Sequence, residues 1–305
     1  MSAEVIAIFG PTGIGKTAVA IGLADELRRD GEDPLAISAD ALQVYRGLET
    51  LSGVASAEEQ ERLEHRLVSF VPATHTFSVG EFMPLAHAEI DAALAAGRRP
   101  IVVGGTGLYL RAALTRLELQ PPPPAAVRAR WTEEVERRGP EELHHELVDR
   151  APWAAEGIEP TDRSRIVRTL ELLEMGELEP RDGESQLWTE DTRRPTLLVG
   201  LVMEREALYA RIEERVDAMV AAGATEEVRR VEEAGASRTA RKALGFQELL
   251  AGDVEAMKQG TRRYAKRQLT WMRKLAGVHQ IDVTGRDPAE VAAEIAGLSR
   301  TPPGG

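Results

Sequence analysis

The sequence contains no cysteine, and aromatic residues make up only 4% of it. The missing thiols exclude a disulfide framework, a thiolate metal site and a cysteine nucleophile. No apolar run approaches the roughly 20 residues that a membrane-spanning helix needs. The first residues, Met1–Glu4, carry no basic region followed by an apolar one, so no secretory signal is predicted. We therefore expect a cytoplasmic protein without a membrane partner.

The chain is acidic overall but carries one strongly basic segment. Its 38 lysines and arginines are outnumbered by 50 acidic residues, and the formal net charge of −12 disfavours a general nucleic-acid binder. Segment 238–274, however, holds ten basic and three acidic residues, a net charge of +7, with Tyr264 and Trp271 among the cations. A solvated helix face is one interpretation of this segment, and binding of a polyanion such as a nucleic acid is the other.

Short apolar segments alternate with helical patterns through the first hundred residues, and the alternation returns near residue 195. Strands are predicted at 4–9, 34–38, 67–71, 100–103, 195–202 and 280–283. Helices are predicted at 16–29, 80–96, 205–222, 224–234 and 261–276. This alternation predicts an α/β fold with a parallel sheet core and helices on both faces.

Residues Gly10–Thr17 match the pattern G-x4-G-K-[ST] of a phosphate-binding loop, between a predicted strand and a predicted helix. The glycines allow backbone N–H groups to face an anion, and the helix N-terminus adds its positive end. Lys16 supplies a charge to a phosphate, and the Thr17 hydroxyl is suited to bind Mg²⁺. The loop therefore predicts a P-loop core with a diphosphate or triphosphate site.

A break in the pattern predicts the domain organisation. Four consecutive prolines at 121–124 cannot continue a helix, and the stretch that follows is helical and highly charged. We predict a P-loop core with C-terminal helices at 1–115 and 196–285, a helical insertion at 116–195 and a tail at 286–305.

An aspartate follows the second predicted strand. Asp40 ends an apolar segment, and the carboxyl ends of parallel strands face the ligand crevice. There it could accept a proton or bind Mg²⁺ through water, and Gln43 could point into the same crevice; capping a helix N-terminus is the alternative for Asp40. The strand at 101–103 ends in Gly104–Gly107 and not in a second metal-binding aspartate, which favours a site that grips phosphate over a hydrolytic one.

Taken in order, the motifs resemble those of the tRNA dimethylallyltransferases, the bacterial isopentenyl-diphosphate transferase family. The resemblance extends from about Val5 to Arg273. The matching segments are Gly10–Thr17, Ser38–Gly47, Phe77–Phe82, Gly104–Tyr109, Asp162–Glu171, Arg211–Met219, Ala243–Glu248 and Thr261–Trp271.

This resemblance implies transfer of a dimethylallyl group from its diphosphate to N6 of the adenosine 3′-adjacent to the anticodon in tRNA. It implies catalytic roles for Asp40 as general base, for Thr106 near the target base and for Arg215 on the diphosphate. Thr17 would hold Mg²⁺, the one cofactor implied. The diphosphate would lie on Gly10, Pro11, Thr12, Gly13, Ile14, Gly15, Lys16 and Thr17.

The implied partners are the tRNA anticodon stem-loop and dimethylallyl diphosphate, and the chain is expected to act as a monomer. The extruded adenosine would meet a strand end and the loop that follows it. The residues implied for tRNA contact are Asp40, Ala41, Leu42, Gln43, Thr106, Arg128, Ser164, Arg165, Arg168, Lys242, Gly245, Phe246, Gln247, Arg263, Lys266 and Arg267.

The sequence departs from the family pattern at three places on one side of the crevice. Ala41 replaces a serine, Leu48–Ala55 replaces a segment that reads like M-D-I-G-T-A-K-P, and Ser69 ends a stretch that normally ends in aspartate. These departures bear on donor contacts, tRNA choice and rate.

Two other functions also fit the motifs. A P-loop small-molecule or nucleotide kinase would use the same loop and strand-end aspartate to phosphorylate a hydroxyl. A non-catalytic RNA-binding protein would use the basic segment and keep a degenerate phosphate loop.

Overall fold

The structure, a computed structural model, describes residues 3–180 and 186–300. Its main sheet has six strands: β1 (Val5–Phe9), β2 (Pro34–Ser38), β4 (His65–Arg66), β6 (Arg99–Gly104), β7 (Thr196–Val202) and β8 (His279–Asp282). They lie in the order β4-β2-β6-β1-β7-β8, and every neighbouring pair is parallel. Two short strands, β3 (Tyr45–Arg46) and β5 (Val71–Pro72), pair separately. The predicted fold class is confirmed.

The central strands β1 and β2 are apolar on both faces, as is typical of a parallel sheet. All five residues of β1 and all five of β2 are buried, as expected for strands covered by helices on each side. In the sheet β1 lies beside β6, and β6 lies beside β2. The loops that leave these three strands therefore share one edge, and they contain the phosphate loop, Asp40 and Gly104–Gly107.

Helices make up most of the remaining chain. Those in the same part of the chain as the sheet are α1 (Lys16–Arg29), α2 (Glu49–Ser52), α3 (Ala57–Arg62), α4 (Val79–Ala95), α5 (Gly107–Leu114), α10 (Arg205–Ala221), α11 (Ala224–Glu233), α12 (Phe246–Leu250), α13 (Val254–Met272) and α14 (Pro288–Arg300). Four more are α6 (Ala125–Arg138), α7 (Pro140–Arg150), α8 (Pro152–Ala155) and α9 (Arg163–Met175). No helix within 3–180 or 186–300 combines the length and apolar composition needed to cross a bilayer.

The chain forms two compact units. One contains residues 118–180, and the other contains 3–117 together with 186–300. Each has its own apolar core. The core of the sheet-containing unit joins the sheet to residues of α1, α10 and α14, including Leu23, Ile101, Ile212 and Ile295. The core of the 118–180 unit gathers residues of α6, α7 and α9, among them Trp131, Leu143, Ile166 and Leu170.

The insertion was predicted at 116–195, whereas the second compact unit contains residues 118–180 of the described chain. Residues 186–195, predicted to belong to the insertion, lie with the sheet-containing unit. The main-chain N–H of Arg193 donates to the carbonyl of Leu114 at 2.8 Å. The buried guanidinium of Arg111 donates to two main-chain carbonyls of the same segment, so hydrogen bonds that are invisible in the sequence pattern hold it there.

The predicted tail at 286–305 is wrong for residues 288–300, which form α14. Val291, Ala292, Ile295 and Ala296 are buried, at spacings that place them on one helix face. That face packs against α1, where the small residue Gly22 allows close approach of Ala292. Residues 301–305 lie outside the described part of the chain.

Two element predictions were also wrong in their bounds. The strand predicted at 67–71 does not form, because Leu67 and Ser69 have φ of 59° and 48°, in the left-handed region that no strand residue adopts. The helix predicted at 261–276 is α13, which begins two turns earlier. Asp253 starts it by accepting a hydrogen bond from the N–H of Ala256 at 2.8 Å.

Candidate active site

The phosphate loop, Gly10–Thr17, joins β1 to α1. Gly13 and Gly15 have φ of 81° and 98°, a left-handed backbone that glycine adopts without a steric penalty. Gly15 is the N-cap of α1 and has no side chain to cap it, so the first N–H groups of the helix remain for an anion. Pro11 and Ile14 are buried. The loop therefore presents its backbone, not those side chains, to a ligand.

Lys16 points back over the loop. Its Nζ donates to the carbonyls of Gly10 and Pro11, each at 3.0 Å. Burial lowers the pKa of Lys16 to about 8; the charge of Asp40 opposes this shift, and the charge of Arg215 adds to it. A lysine with such a pKa is charged at neutral pH and loses its charge in the mildly alkaline range.

Asp40 lies just beyond β2 and stabilises the turn that follows. Its Oδ1 accepts hydrogen bonds from the N–H of Leu42 at 2.9 Å and of Gln43 at 3.4 Å. No α-helix begins there, so the helix-cap alternative is wrong. Among the described residues its Oδ2 accepts one weak bond, from the Thr106 hydroxyl at 3.4 Å, and so retains capacity for a proton.

Thr106 connects Asp40 to Tyr264 of α13. The hydroxyls of Thr106 and Tyr264 are 3.3 Å apart, and burial raises the pKa of Tyr264 to about 12. Tyr264 is therefore neutral near pH 7, and its hydroxyl can donate a hydrogen bond. Asp40, Thr106 and Tyr264 form one polar chain along the side of the cavity.

Arg215 of α10 reaches the same cavity and lacks an acidic partner. It forms no ion pair within 3–180 and 186–300, and its Nε is buried without a hydrogen bond. Burial lowers the pKa of this guanidinium, which still remains charged. Its Nη2 packs against Gly53, where an added Cβ would lie 1.7 Å from that nitrogen. A half-buried cation without an ion pair in the described residues, beside a phosphate loop, is suited to a phosphate ligand.

The segment that departs from the family pattern holds Gly53 in place. It contains α2, whose N–H groups at Thr50 and Leu51 donate to the buried carboxylate of Glu227 at 2.9 and 2.8 Å. Negative charge at a helix N-terminus is favourable. Glu227 thus anchors the segment that carries Gly53 against Arg215.

One cavity of about 500 Å³ collects these groups. Its polar side is lined by the phosphate loop, Asp40, Arg215 and Tyr264. The lining also includes apolar side chains, among them Val54, Val216, Met219, Leu244 and Met257, together with polar ones such as Glu49, Glu59, His65 and Thr261. A molecule with an anionic group and a hydrocarbon group finds both hydrogen-bond donors and apolar contacts in this cavity.

The residues after Asp40, predicted to touch an extruded base, have different surroundings. Leu42 lines the cavity, whereas Ala41 does not. Gln43 lines the cavity too, but its amide is engaged on both sides. It accepts from the Ser38 hydroxyl at 2.8 Å and donates to the carbonyl of Gly53 at 3.0 Å. In this arrangement Gln43 connects β2 to the segment that supports Arg215.

The basic face of α13 is exposed. Arg263, Lys266 and Arg267 are accessible, and none of the three forms an ion pair within the described residues. The Arg267 guanidinium lies 5.5 Å from the centre of the Tyr264 ring. Arg262, on the same helix, is instead paired with Glu213. Three cations without acidic partners indicate a surface that meets an anion.

The segment before α12 divides between surface and core. Lys242 and Gln247 are exposed, whereas Gly245 is buried and Phe246 is completely inaccessible. Phe246 was predicted to contact tRNA, but its side chain packs in the core. Only its main chain could reach a partner in this conformation.

In the 118–180 unit, Arg128 and Arg168 are held on either side of Glu171, a buried carboxylate. Arg128 donates to Glu171 at 3.1 Å, and Arg168 donates to it at 3.4 Å. Ser164 and Arg165 are exposed at the start of α9. Arg165 reaches Asp162 at 3.4 Å, a surface pair of little energetic weight.

Two further residues at the site were missing from the sequence prediction. Gln268 of α13 is 4% exposed and bonds to both the phosphate loop and the loop after β6. Arg211 of α10 is exposed, and its Nη2 lies where a Cβ on Gly15 would be 3.1 Å away. Gln268 lies four residues after Tyr264, and Arg211 lies four residues before Arg215. Both lie in segments that match the family motifs, and this spacing of about one helical turn was the available signal.

The oxygen atoms available to a metal ion are few. The described residues hold no cluster of three or more histidine, aspartate or glutamate side chains. Thr17 lines the cavity, and no partner for its hydroxyl is present in the described part of the chain. Together with the free side of Asp40 it suits Mg²⁺, which commonly takes few protein ligands and completes its shell with phosphate oxygens and water.

Comparison with known proteins extends over nearly the whole chain. A family model described as IPP transferase matches residues 43–275, and one described as isopentenyl transferase matches residues 3–69. The chain is 38% identical over 303 residues to the tRNA dimethylallyltransferase of Kineococcus radiotolerans, covering 95% of this chain and 94% of the relative. It is 39% identical over 299 residues to that of Streptomyces coelicolor, covering 94% and 93%.

Solved structures agree with this assignment. The tRNA isopentenylpyrophosphate transferase of Bacillus halodurans matches with a TM-score of 0.69 and 32% identity, covering 96% of this chain and 94% of that one. The tRNA delta(2)-isopentenylpyrophosphate transferase of Staphylococcus epidermidis matches with a TM-score of 0.66 and 32% identity, covering 96% and 97%. On the matched models, the identity over nearly the full length and the shared structure, the chain belongs to the tRNA dimethylallyltransferase family.

Proposed function

We propose that this protein transfers the dimethylallyl group of dimethylallyl diphosphate to N6 of the adenosine 3′-adjacent to the anticodon in tRNA. One observation carries the proposal. A phosphate loop, a strand-end carboxylate and an arginine that forms no ion pair within the described residues line one cavity, together with apolar side chains such as those of Met219 and Leu244. This combination suits an allylic diphosphate with its hydrocarbon group next to an acceptor nitrogen.

The reaction replaces the bond between C1 and the diphosphate oxygen by a bond between C1 and N6, and it removes a proton from N6. The adenosine N6 attacks C1 of the dimethylallyl group while the bond from C1 to the diphosphate oxygen breaks. The electron pair of that bond leaves with pyrophosphate, and the N6 proton passes to the Oδ2 atom of Asp40. Thr106 donates a weak hydrogen bond to that oxygen and holds it toward the cavity.

The leaving group gains negative charge as the bond breaks. Lys16, Arg215 and N–H groups of the loop are the donors available to that charge. Charged donors fixed in a partly buried site stabilise such charge more than water does. Before a donor molecule binds, Lys16 bonds to loop carbonyls, so it exchanges those bonds for phosphate oxygens.

Mg²⁺ is the cofactor we propose, held by the hydroxyl of Thr17 and, through water, by Asp40. When bound, it neutralises charge on the leaving diphosphate.

The proposed tRNA partner is recognised through its phosphates and its anticodon loop. Arg263, Lys266 and Arg267 supply phosphate contacts from α13. The second unit contributes through exposed residues at the start of α9 and through the arginines around Glu171. We further propose that the protein is cytoplasmic, where tRNA is found, and that it acts as a monomer.

The test is incubation of the protein with Mg²⁺, unmodified tRNA and labelled dimethylallyl diphosphate, without ATP. We expect label in tRNA that has adenosine beside the anticodon. The matched control is the same tRNA with guanosine in place of that adenosine, which should remain unlabelled.

Three outcomes would contradict the proposal. Labelling of the guanosine control would place the acceptor elsewhere. Absence of prenyl transfer, with phosphate transfer in a parallel reaction that contains ATP and a small hydroxyl compound, would favour a kinase. Binding of tRNA without any transfer would favour an RNA-binding protein without catalytic activity.

A further inference from the structure

Gln268 connects three parts of the site through a single buried side chain. Its Oε1 accepts a hydrogen bond from the N–H of Thr12 in the phosphate loop at 2.9 Å. Its Nε2 donates to the carbonyl of Gly105, in the loop after β6, at 2.7 Å. The side chain itself comes from α13, 256 residues further along the chain than Thr12. β1 and β6 pair up to Phe9 and Gly104; beyond that point no main-chain hydrogen bond between Thr12 and Gly105 is present in the described residues, and the amide connects them.

The neighbouring residues of α13 reinforce this contact. Tyr264, one turn earlier, touches Thr106, and Trp271, nearly one turn later, packs against Gly107. The inner edge of α13 therefore contacts three consecutive residues of the loop after β6, Gly105, Thr106 and Gly107. Gln268 is the one point among these where the edge also reaches the phosphate loop.

Gly105 is shaped by the same contact. A Cβ at this position would lie 2.4 Å from Nε2 of Gln268 and 3.4 Å from Nζ of Lys16. The absence of a side chain lets the amide and the lysine share the space beside the loop. A methyl group at 105 would displace the Gln268 amide without changing Gln268 itself, and it would also lie 3.2 Å from the carbonyl oxygen of Gly10.

We propose that Gln268 is a positioning residue for the anion site. It holds the phosphate loop in the geometry that binds diphosphate, and it does so through Thr12 and not by touching the ligand. The inference rests on the proposed function only for the identity of the natural ligand, since any diphosphate would report on the loop.

The experiment measures the dissociation constant for inorganic pyrophosphate with Mg²⁺, and separately that for tRNA. Gln268→Met keeps the length and volume of the side chain and removes both hydrogen bonds. We expect pyrophosphate binding about ten-fold weaker, because two buried polar groups lose their partner and the loop relaxes. tRNA binding should stay within about two-fold, since the exposed cations of α13 are unchanged.

The matched control is Gln259→Met, on the exposed side of the same helix, which should leave both constants unchanged. Gly105→Ala is the second variant and should weaken pyrophosphate binding in the same direction. In steady state, Gln268→Met should raise the KM for the allylic diphosphate more than it lowers kcat.

Unchanged pyrophosphate binding in Gln268→Met would overturn the inference. Equal weakening of pyrophosphate and tRNA binding, with a lowered melting temperature, would also overturn it, because Gln268 would then be a general packing residue. The wild-type protein could transfer no prenyl group and still bind pyrophosphate about ten-fold more tightly than Gln268→Met does. In that case the positioning role stands and the proposed function fails.

Discussion

At the scale of single residues, Asp40 is the most direct test of the proposed mechanism. In Asp40→Asn the amide oxygen can still accept the hydrogen bond from Leu42, so the turn is retained. The amide cannot take the N6 proton. We expect single-turnover transfer to fall by about 10²–10⁴-fold, as for loss of a general base, with tRNA and donor affinities within about two-fold. Transfer at the wild-type rate would rule out Asp40 as the base.

Lys16 gives the site a pH dependence with a definite sign. Its pKa is lowered to about 8, so the free protein loses this charge as the pH rises through that value. A bound diphosphate favours the charged form, so binding above pH 8 takes up a proton. We expect the affinity for dimethylallyl diphosphate, measured without tRNA, to be constant at pH 7–7.5 and to fall by up to about ten-fold per pH unit above 8.

The control for this titration is Lys16→Arg, whose guanidinium keeps its charge throughout the range. Its affinity should be lower at neutral pH but independent of pH between 7.5 and 9. A wild-type profile as flat as that of the variant would mean that Lys16 does not supply the charge that binds the donor.

At the scale of elements, α13 combines two surfaces with different roles. Its inner edge contacts the loops of the cavity, and its outer face carries three cations without acidic partners. We expect Lys266→Ala with Arg267→Ala to weaken tRNA binding and to lower the slope of log affinity against log salt by about 1–2 units, since each phosphate contact releases counterions.

A matched double variant separates this local effect from total charge. Arg28→Ala with Arg29→Ala removes two cations from the last turn of α1, where they pair with Asp25 and Glu26. It should leave the salt slope unchanged. If both double variants lower the slope equally, net charge and not the face of α13 governs binding.

Local chemistry decided which elements could be predicted from the sequence. The phosphate loop and Asp40 were found because glycine, lysine and strand-end carboxylates have few other reasons to occur in that order. The prediction of a strand at 67–71 was wrong because an apolar run gives no indication of the positive φ angles at Leu67 and Ser69. Gln268 was missed for a related reason. Its partners lie far away in the chain, and a polar residue in a basic helix is expected to be solvated.

α14 shows the opposite error. Its buried residues repeat with helical spacing, so the pattern was present, but the position near the end of the chain favoured a tail. The bounds of the insertion could not be derived in this way. They depend on hydrogen bonds that main-chain groups of segment 186–195 form with Leu114 and with the side chain of Arg111. The order of polar and apolar residues does not indicate these bonds.

At the scale of the whole molecule, the acidic excess and the basic surface are separated in the sequence. The net charge of −12 opposes non-specific attraction to nucleic acid, while segment 238–274 carries a net charge of +7. Repulsion from the rest of the chain weakens binding to any polyanion that does not dock on that segment. An acidic protein with one basic helix is thus selective for a ligand that fits the helix. As the salt concentration rises, we expect the total affinity to fall by a larger factor than the selectivity increases.

The two cores predict that the two binding activities can be separated. Leu170 is fully buried in the core of the 118–180 unit, on the same helix as Arg165 and Arg168. Leu170→Ala removes about 2–5 kcal/mol of packing from that unit. We expect tRNA affinity to fall by about ten-fold as α9 loses its support, while pyrophosphate affinity stays within about two-fold, because the phosphate loop belongs to the other core.

Ile295→Ala is the matched control in the sheet-containing unit, where it removes buried volume from α14. It should lower the melting temperature of that unit and leave tRNA affinity at a permissive temperature near the wild-type value. If Leu170→Ala weakens pyrophosphate and tRNA binding to the same extent, the two units do not behave as separate cores. In that case the second unit supports the anion site as well as the RNA surface.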